Sequence, residues 1–282
     1  VLGLSVENIE ILIFFMIGYN FLSNEANQRK LLFCFVVFGF IYTFFMFWEM
    51  RMAPLLHHDI YGFSARPFRQ RLRFGGYRPT VFLQSGLWVG FFMMMVYISA
   101  VALAKDGDPA SPFAKRRAIF GFLAPYLGAV LVLSKAVASS LYAIMLTPVL
   151  LLTGPRLHIM LSGALVVLTL VYPHLRNVDL VPTDTLVRIA ERYVSPERAQ
   201  SLEFRFDNED ALLAHANDRL LFGWGIWGRN RTFDEETGAA NSVTDGLWII
   251  QIGTFGWVGY IAFFGILTLP LLLLWVRASA LR

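Results

Sequence analysis

Long apolar stretches constrain the fold of this chain more than any other feature. Seven stretches are predominantly apolar: 4–22, 31–48, 83–104, 118–134, 137–153, 157–173 and 247–276. The first is the weakest, because Glu7, Asn8 and Glu10 lie at one end of it. A helix that crosses a bilayer needs about 20 mostly apolar residues. The sequence therefore predicts an all-α fold, a polytopic membrane helix bundle with about seven spans.

The composition excludes most alternatives to a membrane protein. Of the 282 residues, 56% are hydrophobic and 16% are charged, whereas soluble domains carry about 25% charged residues. This excludes a soluble enzyme, and the same values exclude a disordered chain. A single Cys excludes a disulfide framework and a Cys-based zinc site. Because the chain begins with Val, we expect it to be a fragment or a processed form.

The apolar stretches leave two long loops on one side of the membrane, 49–82 and 174–246. On the opposite side, Lys115, Arg116 and Arg117 directly precede a span, and short basic loops of this kind usually face the cytoplasm. This pattern predicts that 49–82 and 174–246 are extracytoplasmic loops of a single membrane domain, 1–282. The second loop is expected to be folded and partly helical.

Arginine dominates the basic residues. Of the 24 Lys and Arg residues, all but Lys30, Lys105, Lys115 and Lys135 are Arg. Arg binds phosphate or carboxylate in a bidentate manner, and six of these residues fall within 49–82. An anionic ligand would explain them, as would the codon preference of a GC-rich genome. The net charge of +4 is too small and too dispersed to predict nucleic-acid binding.

The second loop contains two predicted helices. Thr183 and Asp184 mark the start of one, and Ser195 with Pro196 has the pattern of an N-cap and a first helical residue. On a helix over 196–220, an apolar face is predicted to rest on the membrane domain and a polar arc to line a cavity. The apolar face contains Leu202, Phe206, Leu213 and Leu220, and the polar arc contains Arg198, Arg205, Asn208, His215 and Arg219, with Glu209 at its border. The alternative is an ordinary solvated helix.

For several motifs we prefer a structural interpretation over a functional one. Residues 223–228 match G-x-G-x-x-G by letter, but no strand precedes them, so we predict an aromatic turn rather than a dinucleotide site. His57 and His58 have no third ligand at a suitable spacing, and no metal site is predicted. Gly253, Gly256 and Gly259 predict close packing or a bend. Asp245 lies at a predicted helix start, where an Asp often acts only as a cap.

Two segments resemble the O-antigen ligase and polymerase superfamily of bacterial envelope proteins. They are 205–229 (RFDNEDALLAHANDRLLFGWGIWGR) and 244–260 (TDGLWIIQIGTFGWVGY). Arg205 resembles the family Arg that precedes a helix in the large loop, and 220–225 resembles the family turn P-L-x-G-x-G. Gly256 and Gly259 match its G-x-x-G helix, and Ser134 with Lys135 matches a Ser-Arg pair. The segment 73–79 (RFGGYRP) is similar to a signature of one polymerase-like subgroup.

The resemblance implies a glycosyltransferase in the bacterial inner (plasma) membrane, with its large loops on the periplasmic side. The implied partners are a glycan linked to polyprenyl pyrophosphate, an acceptor glycan or lipid, and the membrane itself. Fixed cations would stabilise the departing lipid pyrophosphate, and no metal or other cofactor is required. The implied pyrophosphate-binding residues are Arg205, Lys135, Arg78 and Arg229.

One departure from the family pattern affects the catalytic residues. The family's His-Asn pair, which supplies the catalytic His of the ligases, is replaced by Thr244-Asp245. Related cell-wall glycosyltransferases use an Asp as base, so the resemblance points to Asp245 as the first candidate base and to His215 as the second. The replacement also keeps open a non-catalytic relative. The other alternative is a polysaccharide or lipid transporter, although the span centres carry few of the ionisable residues that transporters favour.

Overall fold

The computed structural model describes residues 13–63, 67–109, 111–193, 195–234, 236–244 and 246–280. Helices make up 73% of the structure and strands 2%, which confirms the predicted helical class. The chain divides into two compact units, Val1–Gly154 and Pro155–Arg282, which are described in turn. The single membrane domain and the two loop domains stay predictions.

Unit 1, Val1–Gly154, contains helices that alternate with short connections. In chain order its elements are α1 (described residues 13–21), α2 Glu25–Arg51, α3 Leu56–Tyr61, a 3-10 helix Phe68–Arg71, β1 Leu72–Arg73, β2 Gly76–Tyr77, α4 Gly86–Lys105, a 3-10 helix Ala114–Arg116, α5 Arg117–Leu133 and α6 Val137–Leu152. Helix α4 is central, since α2, α5 and α6 all pack against it.

Small residues allow the helices of unit 1 to approach closely. A Cβ on Gly39 of α2 would overlap the side chain of Val96 of α4, and one on Gly90 would overlap Ala136. The Gly86 and Gly90 pair therefore has two different uses. Gly90 permits packing against the start of α6, whereas Gly86 leaves room for the side chain of Arg78.

Charged residues collect at the two ends of the unit 1 bundle. At one end, Arg29 forms ion pairs with Asp106 (3.2 Å) and Asp108 (3.0 Å). Lys105 Nζ donates to the carbonyl of Thr153 (3.0 Å) at the same end. The opposite end holds the connection between α2 and α4, together with Lys135. The cytoplasmic or periplasmic side of each end stays a prediction.

A two-residue hairpin turn joins β1 to β2. Leu72 pairs with Tyr77 and Arg73 with Gly76, so the turn consists of Phe74 and Gly75. Both turn residues have positive φ, 48° and 67°. Two positive values are typical of the type I′ turn, whose twist matches that of the strands. The sequence pattern 73–79 therefore forms a defined hairpin rather than an irregular loop.

Unit 2, Pro155–Arg282, contains two long apolar helices and two shorter polar ones. Its elements are α7 Pro155–Asn177, α8 Thr183–Tyr193, α9 Pro196–Asn217 and α10 Leu247–Ala280. Helices α7 and α10 pack together, α8 packs on α9, and α9 packs on α10. The predicted starts of α8 and α9 are confirmed. Helix α9 ends at Asn217, so Arg219 and Leu220 lie beyond the helix on which the sequence analysis placed them.

One backbone carbonyl of α7 has no helical N–H donor, because a proline lies four residues after it, and a tyrosine of α10 donates to it instead. Pro173 has no N–H to donate to the carbonyl of Thr169, four residues earlier in α7. The hydroxyl of the buried Tyr260, from α10, donates to that carbonyl at 2.6 Å. Because lipid offers no alternative hydrogen-bond partner, this bond stabilises the pairing of α7 with α10.

Helix α10 is broken at Gly256, where φ is 67° and ψ is −171°. The turn 220–225 fills the break. Trp224 N and Gly225 N donate to the carbonyls of Gly253 and Thr254, both at 2.8 Å. On the other side of the break, Trp257 N donates to the carbonyl of Leu220 (2.8 Å) and Val258 N to that of Leu221 (3.2 Å). The predicted bend is confirmed, and the predicted aromatic turn is its partner.

Five helices among the described residues are long and apolar enough to cross a membrane, and they indicate a membrane protein. They are α2, α4, α5 with the 3-10 turn before it, α7 and α10. The predicted span over 137–153 corresponds to α6, whose 16 residues are fewer than a perpendicular crossing needs. The predicted span over 4–22 falls partly outside the described residues. Helices α2 and α7 extend into the predicted loops 49–82 and 174–246, to Arg51 and Asn177.

We expect Gly256→Ala to destabilise the protein strongly. The backbone at Gly256 occupies a region that is nearly exclusive to glycine, at a cost of about 1–3 kcal/mol for other residues. An added Cβ would also overlap the carbonyl group of Leu221. Thermal unfolding in detergent, followed by size-exclusion chromatography, measures the effect.

Gly265→Ala is the matched control for this substitution. Gly265 lies in the same helix, has helical geometry and has nothing within 4 Å of its would-be Cβ. Ala is favoured over Gly by about 1 kcal/mol in a helix interior, so the control should melt at or above the parent temperature. Equal melting temperatures for the two variants would contradict the role of Gly256.

Candidate functional site

A cavity of about 260 Å³ lies in unit 2 between α9 and the start of α10. Its wall combines charged, polar and apolar side chains. The lining residues are Phe204, Arg205, Asn208, Glu209, Leu212, Val243, Gly246, Trp248 and Ile249. The cavity therefore lies where the segments 205–229 and 244–260 meet, at the end of an apolar helix.

Asn208 fastens the loop that precedes α10 to α9. Its Nδ2 donates to the carbonyl of Phe204 (2.7 Å), and its Oδ1 accepts from Val243 N (2.7 Å). Below this contact, Leu212 and Ile249 are buried against each other. These interactions fix the two elements that carry the polar wall of the cavity.

Glu209 places a half-buried carboxylate on the cavity wall. Tyr172 OH donates to its Oε2 at 3.2 Å, and Arg176 Nε lies 3.6 Å from the same oxygen. The side chain of Trp248 also helps to lower the pKa of this carboxyl group. Burial raises the pKa of Glu209 above its ordinary value of 4.5, against the opposing effects of Tyr172, Arg176 and Trp248.

Arg176 is the buried cation that links this wall to the groove between α8 and α9, which Phe206 and Asp210 help to line. Its side chain is 3% exposed and also donates to Asp210 and to the carbonyl of Phe206. The guanidinium carbon lies 5.2 Å from the centroid of the Phe206 ring. Burial also raises the pKa of Asp210, and Arg176 opposes this effect. The sequence analysis did not single out Arg176, because its position at the end of an apolar span resembled an ordinary flanking charge.

The predicted polar arc of α9 divides between two places. Arg205 and Asn208 line the cavity, together with Glu209, which lies one turn after Arg205. His215 and Arg219 instead lie against the ring of Trp224. The side chain of Arg198 lies outside the described part of the structure. The polar arc therefore contributes Arg205, Asn208 and Glu209 to the cavity, whereas His215 and Arg219 contact the turn that fills the break in α10.

His215 makes structural contacts through one ring face and through Nε2. The ring stacks on Trp224 with centroids 4.3 Å apart, and Nε2 lies 3.1 Å from the carbonyl of Arg229. A carbonyl only accepts, so Nε2 carries the hydrogen and the lone pair of the neutral ring lies on Nδ1. Trp224 Nε1 donates to the carbonyl of His215 (2.8 Å). The side chain of Arg229 is exposed.

Asp245, the first candidate base, lies outside the described residues. Its neighbours on the chain belong to the cavity region, since Val243 and Gly246 both line the wall. Helix α10 begins at Leu247, as predicted. The roles of Asp245 as a cap and as a base both stay predictions.

Arg78 is a buried cation in unit 1. Its side chain occupies the space above Gly86, and the residue is 5% exposed. Within the described ranges, no hydrogen-bond partner of its Nε is found. Burial lowers the pKa of Arg78, with a smaller contribution from the charge of Arg73. A buried guanidinium of this kind is suited to an anionic ligand.

Lys135 lies against the β1–β2 hairpin, which directly precedes Arg78. Its backbone is left-handed, with φ of 59°, in the predicted tight turn between α5 and α6. Nζ donates to the carbonyl of Arg73 at 2.8 Å and lies over Gly76. In unit 1 the structure therefore places Lys135 against the β1–β2 hairpin and Arg78 directly after it, and in unit 2 it brings Arg205 and Glu209 together on the cavity wall.

Glu49 holds the connection that carries Arg78. This carboxylate is fully buried at the end of α2, and its Oε2 accepts from Thr80 N and Val81 N, both at 2.7 Å. Its Oε1 accepts from Leu56 N at 3.1 Å. Glu49 was not expected from the sequence, and Glu209 was placed only at the border of the polar arc with no role, because a single carboxylate beside apolar residues has no distinctive spacing.

We expect Glu49→Gln to loosen the connection 79–82. Gln would keep one acceptor oxygen but would turn its NH₂ group toward a backbone N–H, and an unsatisfied buried group costs about 1–3 kcal/mol. Hydrogen exchange of peptides that contain Thr80 and Val81 should become faster. Glu25→Gln, at an exposed glutamate at the start of α2, is the control. Equal protection in both variants would show that the Glu49 carboxylate does not hold this segment.

Comparisons of the chain with protein-family models, with curated proteins and with solved structures found no match. The function is therefore inferred from the cavity, from its charged side chains and from the residues that resemble the superfamily.

Proposed function

We propose that the protein is a membrane glycosyltransferase of the O-antigen polymerase or ligase type, which transfers or polymerises an oligosaccharide from a polyprenyl-pyrophosphate donor for surface polysaccharide assembly. One observation carries this proposal. A cavity with a cation and a carboxylate on its wall, Arg205 and Glu209, lies at the end of the apolar helix α10. A lipid-linked donor requires such a location, since its prenyl chain stays in the bilayer while its sugar and pyrophosphate lie at the surface.

The cations stabilise the leaving group in this proposal. When the bond between the anomeric carbon and the phosphate oxygen breaks, the lipid pyrophosphate departs with its negative charge. Fixed cations near that oxygen stabilise the transition state. Arg205 is the proposed cation of the cavity, and Lys135, Arg78 and Arg229 are proposed as further pyrophosphate-binding residues.

Glu209 is our proposed general base, in addition to the two candidates from the sequence. A hydroxyl of the acceptor sugar attacks the anomeric carbon, a new C–O bond forms, and the hydroxyl proton passes to a base. The Glu209 carboxylate faces the cavity from the same helix as Arg205. Asp245 stays an alternative base, and His215 is the less favoured candidate because its Nε2 and its ring face are already engaged.

We expect Arg205→Ala to abolish transfer while leaving the protein folded, because Arg205 is exposed on the cavity wall. Arg205→Lys should recover little activity, since an ammonium does not reproduce a bidentate guanidinium. The assay follows release of polyprenyl pyrophosphate from a lipid-linked oligosaccharide by the purified protein in lipid. Arg277→Ala removes an exposed charge at the far end of α10 and should retain activity. Full activity of Arg205→Ala would show that Arg205 is not needed for transfer.

We expect Glu209→Gln to slow transfer by about 10²–10⁴-fold, the usual contribution of a general base. The active form is the carboxylate, so kcat/KM of the parent should rise with pH through a pKa above the ordinary glutamate value. In the Glu209→Gln variant, kcat/KM should no longer rise with pH in this range. The groups that face Glu209 are Tyr172 and Arg176 of α7, Trp248 of α10 and Asp210 of its own helix.

Two further variants separate Glu209 from its competitors. Asp210→Asn removes the second carboxylate that pairs with Arg176, and kcat/KM of this variant should still rise with pH as in the parent. Asp245→Asn preserves a helix cap, because Asn caps about as well as Asp, but it removes a base. If Asp245→Asn is slow and Glu209→Gln is close to the parent, Asp245 is the base. If the parent itself releases no polyprenyl pyrophosphate, the proposed function is wrong.

A further inference from the structure

Helix α8 has an apolar stripe that its packing on α9 does not use. The stripe consists of Leu186, Ile189 and Tyr193, which are 40%, 48% and 74% exposed. Their spacing of three and four residues places them on one face of the helix. The opposite face, which includes Thr183, Val187 and Glu191, lines the groove between α8 and α9. Two sides of α8 therefore face different environments.

The position of α8 shortly after a candidate membrane span indicates which environment this stripe faces. Helix α7 is a candidate membrane span that ends at Asn177, and α8 begins at Thr183. An extended connection of this length reaches at most about 20 Å. The connection itself exposes Val178 and Leu180. Exposed apolar side chains therefore occur both in the connection that follows the span and along α8.

We propose that α8 lies in the lipid interface with the stripe Leu186, Ile189 and Tyr193 inserted among the lipids. An interfacial helix has a narrow apolar face, polar flanks and a low overall hydrophobicity, and α8 has all three. Tyr193 lies at one end of the stripe, and tyrosine is enriched at the level of the lipid headgroups. This inference goes beyond the proposed function and does not depend on it.

The charges of α8 identify the kind of lipid surface. Asp184 and Glu191 offset Arg188 and Arg192, so the helix has no net charge. Electrostatic attraction to anionic lipids therefore contributes little, and burial of apolar surface supplies the affinity. A bilayer of zwitterionic phosphatidylcholine alone is sufficient.

Fluorescence of single-cysteine variants in phosphatidylcholine nanodiscs tests this inference on the full chain. Cys34, the single cysteine, is replaced by Ala. An environment-sensitive NBD label is then placed on Ile189→Cys, in the stripe, or on Glu191→Cys, on the groove side. Label 189 should emit at shorter wavelength, be quenched by doxyl-labelled lipid, and show a several-fold smaller iodide quenching constant than label 191.

Three outcomes would overturn the proposal. Equal iodide quenching at 189 and 191 would show that the stripe faces water. Protection of label 189 from both iodide and doxyl lipid would show that protein, from this chain or a second copy, covers the stripe. If labels 189 and 191 differ in quenching only after anionic lipid is added, electrostatic attraction rather than apolar burial drives the contact. Leu186→Cys repeats the measurement in the stripe if the variant at 189 does not fold.

Discussion

The backbone hydrogen bonds across the break in α10 are the interaction on which unit 2 depends. At Gly256 the helix stops and starts again, and the turn 220–225 supplies two donors to one side and two acceptors to the other. Neither apolar side chains nor lipid could satisfy these groups. Gly223 and Gly256 lie so close together that a Cβ on Gly223 would lie 2.6 Å from Gly256 N. The same turn holds Trp224 against His215, and thus fixes the end of α9 relative to α10.

The same requirement governs the other irregular parts of the backbone. Tyr260 donates to the carbonyl that Pro173 leaves without a helical N–H. In unit 1, Glu49 accepts from three backbone N–H groups of the connection between α2 and α4. In each case a polar side chain supplies a hydrogen bond that the local backbone does not. The functional side chains are consequently attached to backbone segments that are fixed by hydrogen bonds.

The sequence predicted those features that depend on local pattern. The apolar stretches predicted α2, α4, α5, α7 and α10 because length and composition alone make a span. Pro196 predicted the start of α9, and the glycines of 253–259 predicted a bend, because backbone preferences are local. The site was harder to predict, because a carboxylate such as Glu209 acquires its environment from residues far along the chain, Tyr172 and Trp248. Leu220 was assigned to the apolar face of a helix, but it lies in the turn, because its carbonyl is needed by Trp257.

The surroundings of Glu209 show how a buried carboxylate remains suited to accepting a proton. Burial alone would favour the protonated acid, which cannot act as a base. Arg176, Tyr172 and Trp248 stabilise the charged form and offset part of this effect, while the net direction of the pKa remains upward. A raised pKa makes the carboxylate a stronger base at a pH where it is still charged. Because Arg176 approaches Glu209 from α7, it supplies this charge without forming part of the cavity wall. The wall itself then carries the cation of Arg205 beside the carboxylate, and this is the pair that the proposed transfer from a pyrophosphate donor would use.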